Sequence, residues 1–317
     1  MRFRIPRRRS RRDRLSARRC GRSLAQDKRR AGKSSRRQGA SMANRSYLYS
    51  LGNRPTSYED RPETISGLSE WAYDVPFMYR LLMSCDPRPC ASLISDGLDG
   101  TKMPLHAISS PFAHGFERVR HFVAILRVLI ESRAVPTPAA PPPETPGKST
   151  LVDRMRRWVG VAPAPVESGP AHVPTPATTH AAVDHVREWL DETISFLEQH
   201  RDQYLLLETI ELDLMSESDT NALRARVDAE IDRCRRVGAA FEALPSDTTE
   251  AARVLQRAAT ERSPAPLDAF FGLRFDDNCD STRTGDTEHP LGLEWNDVLY
   301  FELFNREQFD AHRRQPD

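Results

Sequence analysis

The sequence predicts an α+β fold: about five strands in a mainly antiparallel or mixed sheet, packed by helices and carrying a long proline-rich insertion expected to be disordered. Three observations predict it. Strand-like alternations and helix-period apolar stripes interleave along residues 42–317, joined both by hairpin-like turns and by helical connections. Residues 133–178 hold 11 of the chain's 24 prolines, with Ala and Thr filling the gaps, too little apolar surface to offset the entropy of ordering them. Residues 42–132 alone offer about three strands and two helices, a thin core, so 42–132 and 179–317 are expected to build one domain around the insertion.

The elements follow in order. SYLYSL, residues 46–51, places Tyr47 and Tyr49 on one face and Leu48 on the other, and Gly52, Asn53 and Pro55 turn the chain afterwards, so it reads as a first strand. Gly67–Asp74 carries Trp71 and Tyr73, and Pro76 suits the first residue of a helix through Phe77, Leu81 and Leu82. Strands at Ala91–Ser95 and Met103–Ile108 around a Gly/Asp turn form a hairpin. Ser110 is placed to cap the next helix and Pro111 suits its first turn. Phe112, Phe116, Val119, Val123, Leu126 and Ile130 then recur at helical spacing, one stripe long enough to cover a sheet face. Inside the insertion, Leu151–Val159 is a candidate short basic helix using Leu151, Met155 and Trp158. Order returns with Val183, Val186, Leu190, Ile194 and Leu197 as a helical stripe ending near His200. YLLLETIEL, residues 204–212, is β-like. Asp219 caps a helix whose inner side holds Leu223, Val227, Ile231, Cys234, Phe241 and Leu244. Pro245 stops it, and Asp247 with Glu250 has the spacing that opens another helix through Leu255 and Ala259. DVLYFELF, residues 297–304, is apolar on both alternating faces and predicts a central strand.

The whole-chain charge of +1 hides a division. Residues 1–41 hold 17 of the 46 Lys and Arg but 2 of the 45 Asp and Glu, so residues 42–317 carry 29 basic and 43 acidic side chains. Three roles suit such a basic leader: a nucleic-acid arm acting through counterion release, an organellar transit peptide, or a stretch upstream of a true start at Met42. The compositional break at that methionine favours the last. For 42–317 the negative balance argues against nucleic-acid partners and for a basic protein partner.

No apolar run, Phe122–Leu126 and Tyr204–Leu207 included, approaches the roughly 18 residues of a membrane-spanning helix. The leader lacks the apolar core of a secretory signal. Five scattered cysteines fit a reducing compartment, and a cytoplasmic protein follows.

MANRSYLYSL at 42–51, GLSEW at 67–71, Asp74–Pro76 and YRLLMS at 79–84, with LLETIE at 206–211 and the Trp295–Phe301 segment, resemble a family of uncharacterised bacterial proteins that begin MANRSYLY. The pieces cover about half of 42–317. The resemblance implies no chemistry, and it supports Met42 as a start.

Chemical motifs are incomplete. Gly147-Lys148-Ser149-Thr150 ends like a phosphate loop, but Pro142 stands where that loop needs glycine. Asp276, Asn278 and Asp280 open like a calcium loop, but its sixth position is Ser281 and its twelfth Thr287. His114, Glu117 and His121 share one helix side with Arg118, whose charge opposes a cation. Cys85 and Cys90 have no second Cys/His pair at a familiar distance. No metal site and no cofactor are expected.

What remains is charge. Residues 181–232 hold 14 acidic and 4 basic side chains, and 268–302 hold 9 and 2. The expected function is therefore a non-enzymatic acidic protein-binding module, immunity-like or an adaptor, with Tyr47, Tyr49, Trp71 and Tyr73 as aromatic anchors and Asp74, Glu208, Glu211 and Asp213 as acidic contacts. The aromatic residues suit a core equally well. The alternatives are a hydrolase with Asp74, Glu208 and Glu211 in a cleft, and nucleic-acid binding through residues 1–41.

Overall fold

The computed structural model describes residues 44–98, 100–134, 176–275 and 289–314. The expectations for residues 1–41, the proline-rich insertion with Leu151–Val159, Gly147–Thr150 and the Asp276–Asp280 motif lie outside them. In chain order the elements are β1 (Arg45–Leu51), β2 (Ile65–Ala72), α1 (Phe77–Met83), β3 (Arg88–Ala91), β4 (Gly97–Leu98), β5 (Thr101–Lys102), β6 (His106–Pro111), α2 (Phe112–Ala134), α3 (Pro176–Gln199), β7 (Tyr204–Glu208), α4 (Ile210–Asp213), α5 (Thr220–Glu242), α6 (Thr248–Thr260), a 3₁₀ turn (Leu267–Phe270) and α7 (Arg306–Arg313). The fold is α+β, as expected.

Five strands form one sheet in the order β2-β1-β7-β6-β3, with every neighbour antiparallel. β7 lies late in the chain yet runs between β1 and β6, so both sides of the insertion build the sheet. Alternation along the central strands sorts their side chains onto two faces. Leu48, Leu205, Leu207 and Ile108 join the helices in one large core, and Tyr47, Tyr49, Leu51, Leu206, Ala107 and Cys90 face a smaller one.

The helical layer follows the predicted stripe: Phe112, Phe116, Val119, Val123, Leu126 and Ile130 are all buried. Phe77, Phe122 and Phe270 form an aromatic knot with centroids 5.2–6.4 Å apart. α1 and α2 meet backbone to backbone at Gly115, where a Cβ would stand 2.0 Å from the carbonyl oxygen of Leu82. Two of the three predicted caps form. Asp219 accepts from the N–H groups of Asn221 and Ala222, and Asp247 from that of Glu250.

Several expectations are corrected. Pro76 precedes α1 as its N-cap. Ser110 belongs to β6, which runs straight into α2, and its hydroxyl accepts from Asp86 N–H instead of capping a helix. α3 begins at Pro176, inside the predicted insertion. The hairpin is β3 with β6, pairing Arg88 with Ser109 and Ala91 with His106, and the small β4–β5 hairpin lies between them. β3 stops at Ala91, and the Ser92 hydroxyl and Leu93 N–H beyond it donate to Glu208. β7 stops at that glutamate, since the Thr209 carbonyl accepts from Leu212 and Asp213 N–H and starts α4. β2, within which GLSEW lies, is a strand that the alternation rule does not reveal.

The largest correction is residues 297–304, which form no strand. The segment runs across the second sheet face, burying Leu299 and Leu303 among Tyr47, Tyr49 and Leu206 while Val298 and Tyr300 point outward. Gly67 makes this possible, because any side chain there would collide with Asp297 O, 2.6 Å from the Cβ position. Its backbone bonds go to β2: Asn296 N–H donates to Leu68 O, and Tyr300 N–H to the Glu70 carboxylate. α7 follows, opened by a capping box of Asn305 and Gln308. Among the described residues no helix is long and apolar enough to cross a membrane.

Candidate functional site

β1 begins, and β2 and β7 end, at the same end of the sheet. Register pairs Tyr47 with Glu208 and Arg45 with Ala72. The parity that turns Leu205 and Leu207 toward the helices turns Leu206 and Glu208 toward the second face.

Glu208 is fully buried there. Its carboxylate accepts from Leu93 N–H at 2.6 Å and from the Ser92 hydroxyl at 2.8 Å. The Leu93 carbonyl accepts in turn from Arg61 Nη1 at 3.0 Å. Arg61, itself buried, lies between the rings of Tyr58 and Phe309, 4.3 and 4.4 Å from their centroids. Burial raises the Glu208 carboxyl from 4.5 to about 7, against the opposing pull of its two hydrogen bonds and of Arg61. The folded chain therefore keeps a proton that the unfolded chain has lost over that interval. Stability from this group is complete below pH 4.5 and is lost as pH rises through 7, a loss of about 3 kcal/mol. Urea unfolding between pH 4.5 and 8 measures it, and Glu208→Gln is expected to flatten the slope. A wild type whose slope equals the variant's would contradict this account.

Around Glu208 the rim is polar. Glu211 accepts from the Tyr47 hydroxyl at 3.0 Å and from Arg45 N–H at 3.1 Å. The Arg45 guanidinium pairs with Glu70 at 3.3 Å and lies over the Tyr300 ring, 4.9 Å from its centroid. Burial first, then the Glu211 charge, hold the Tyr47 phenol far above its ordinary range. The Tyr49 hydroxyl donates to Phe301 O at 2.7 Å, and burial raises its phenol as well.

A second ion network lies between α1 and α5. Arg80 Nε donates to Glu230 at 2.6 Å and Arg233 to the same carboxylate at 2.7 Å, while Asp74 stands 3.5 Å from Arg80 Nη2. Burial alone would raise the Glu230 carboxyl, but Arg80 and Arg233 hold it below its ordinary value. Asp213, buried, accepts from the Thr209 hydroxyl at 2.7 Å with Arg226 at 3.7 Å, and burial raises its carboxyl.

These placements sort the predicted site residues. Tyr47, Tyr49 and Trp71 are buried, and so are Glu208 and Asp213, which leaves none of the five to meet a partner at the surface. Tyr73 does reach solvent, 56% exposed at a φ of 65° and anchored by its N–H to Asn44 O. Glu211 and Asp74 are half-buried at the rim. Sequence reasoning missed Arg45, Glu70, Leu214, Met215 and Tyr300. Leu214 and Met215 follow α4 directly and are 41% and 57% exposed.

Asp74, Glu208 and Glu211 are each held by a different set of protein donors. Among the described residues no cluster of three His, Cys, Asp or Glu could hold a metal ion. Glu117 pairs with Arg120, and His121 packs edge-on to Phe241. Cys85, Cys90 and Cys234 are free thiols, and burial pushes all three up.

Residues 52–143 match the model of a domain of unknown function, DUF7822. The match includes GLSEW, Asp74–Pro76 and YRLLMS, agreeing with the resemblance to an uncharacterised family, and stops short of MANRSYLYSL, LLETIE and Trp295. No curated protein and no solved structure matches the chain. The matched segment carries Glu70, Tyr73 and Asp74, whereas Arg45, Glu211, Met215 and Tyr300 come from outside it.

Proposed function

We propose that the protein is a non-enzymatic binding module, adaptor- or immunity-like, that takes a basic protein segment on the end of the sheet around Tyr73 and Tyr300. One observation carries this reading: Tyr73, Tyr300, Leu214 and Met215, four of the five large apolar side chains exposed among the described residues, belong to segments that meet at Arg45. Arg45 links them. It stacks on Tyr300, pairs in register with the neighbour of Tyr73, and receives Glu211 from α4, just before Leu214. The chain from Leu206 to Thr220 has no Lys or Arg, and Glu211, Glu217 and Asp219 are its acidic side chains that reach the surface. Exposed aromatic and Met side chains within an acidic rim suit a partner with apolar anchors and positive charge.

A cytoplasmic location accompanies the reading, supported by the free thiols. Expected from a pull-down is a basic partner that is released by salt and lost with Tyr73→Ser/Tyr300→Ser. Retention of the same partner by that double variant, at wild-type thermal stability, would refute the proposal.

A further inference from the structure

On the far edge of the sheet from Tyr73 and Tyr300, β3, the start of β6, the β4–β5 hairpin and the loop after β1 line an open pocket of about 700 Å³. That is the size of a small-molecule site and several times what a bare inorganic ion fills. Pro55, Tyr58, Pro89, Met103, Pro104 and Leu105 give it apolar walls.

Its charged groups are nearly all committed. Lys102 pairs with Asp96 at 3.2 Å, and Arg224 binds Asp228 at 3.2 Å. Burial and the nearby Arg224 charge lower the His106 imidazole, favouring its neutral form. The Ser92 hydroxyl donates to Glu208 and accepts from Ile94 N–H, and the Ser95 hydroxyl donates to Gly97 O and accepts from Gly97 N–H. Arg54 is the exception. It lies over the Tyr204 ring, 5.2 Å from the centroid, and its buried Nε has no acceptor. Among the described residues no carboxylate pairs with it.

We infer that this cavity binds a small organic carboxylate, with the acid group on Arg54 and an apolar body against the proline, Met103 and Leu105 walls. A planar guanidinium without an acceptor matches a carboxylate in a two-point hydrogen bond. Among the described residues that line the space, Arg54 is the one cation outside an ion pair, and with the carboxylates of Glu59 and Asp96 beside it a single negative charge is favoured over a phosphate dianion. Most of the exposed lining is apolar, so affinity is expected to grow with chain length. All the lining residues except Arg224 fall within residues 52–143.

The test is calorimetric titration of the full chain with acetate, butyrate, octanoate and 4-phenylbutyrate, each beside its neutral amide, and with inorganic phosphate. Expected are saturable binding of the larger acids, at least tenfold weaker binding of the matching amides, and at least tenfold loss with Arg54→Gln. Amides binding as well as acids would overturn the proposal, and so would no binding of any acid. Phosphate binding as tightly as the best acid would overturn it in favour of a bare anion site. The amide comparison needs no variant, so it decides even where Arg54→Gln folds poorly. Because Tyr73 and Tyr300 lie on the other edge, Tyr73→Ser/Tyr300→Ser is expected to leave acid binding unchanged, and either proposal can fail alone.

Discussion

Gly115→Ala is expected to destabilise the protein by at least about 3 kcal/mol, or to prevent folding, although the exchange normally strengthens a helix by about 0.5–1 kcal/mol. The reversed sign comes from contact with main chain. The new methyl would stand 2.0 Å from Leu82 O and 2.9 Å from Leu82 C, and neither atom can rotate away as a side chain would. α1 and α2 would have to separate, opening the Phe77–Phe122–Phe270 knot that they share with the 3₁₀ turn. At about 3 °C per kcal/mol for a domain of this size, the melting temperature is expected to fall by about 10 °C. A variant melting at or above the wild type would show that the helices do not meet here.

Arg80→Met is expected to cost about 3–5 kcal/mol, because it keeps most of the apolar stem and removes the charge that Glu230 needs. Glu230 is 4% exposed, with Arg233 left as its close cation. The pH dependence should change sign as well. With Arg80 present the Glu230 carboxyl is held below its ordinary value, so its contribution is present above that value and lost as pH falls. Without Arg80, burial prevails, and the variant is expected to gain stability on acidification. Glu230→Gln added to Arg80→Met should recover a large part of the loss. A double variant as unstable as the single one would assign the cost to the arginine stem instead.

What was legible in the sequence follows from which forces are local. The α2 stripe and the caps at Asp219 and Asp247 depend on spacings within a few turns, and they stand as expected. The sheet was harder because alternation reports which side chains are buried and says nothing about whether the backbone finds a partner. Leu299 and Leu303 are buried as their alternation implies, but their backbone crosses the sheet face. GLSEW shows little alternation and is nonetheless paired with β1, because Gly67 is needed for the close approach of Asp297. Charge counting found the acidic stretch and could not tell which of its carboxylates are turned inward. For Glu208 a signal existed: it shares parity with Leu206, the inward-facing residue of YLLLE on the second face. The rim of Arg45, Glu70, Glu211 and Tyr300 is assembled across gaps of up to 255 residues, from Arg45 to Tyr300, beyond the reach of any local pattern.

Those long gaps also bear on biosynthesis. The second sheet face is closed by Leu299, Leu303 and Phe301, with Tyr49 bonded to a carbonyl 252 residues further on. During translation, β1 therefore emerges with its tyrosines uncovered and its neighbour β7 still unmade. Elongation at roughly 5–20 residues per second leaves that face open for on the order of ten seconds or more. A nascent chain paused before Asn296 would display two tyrosines and Leu51 on an uncovered sheet face, apolar surface of the kind that chaperones bind and that nucleates aggregation.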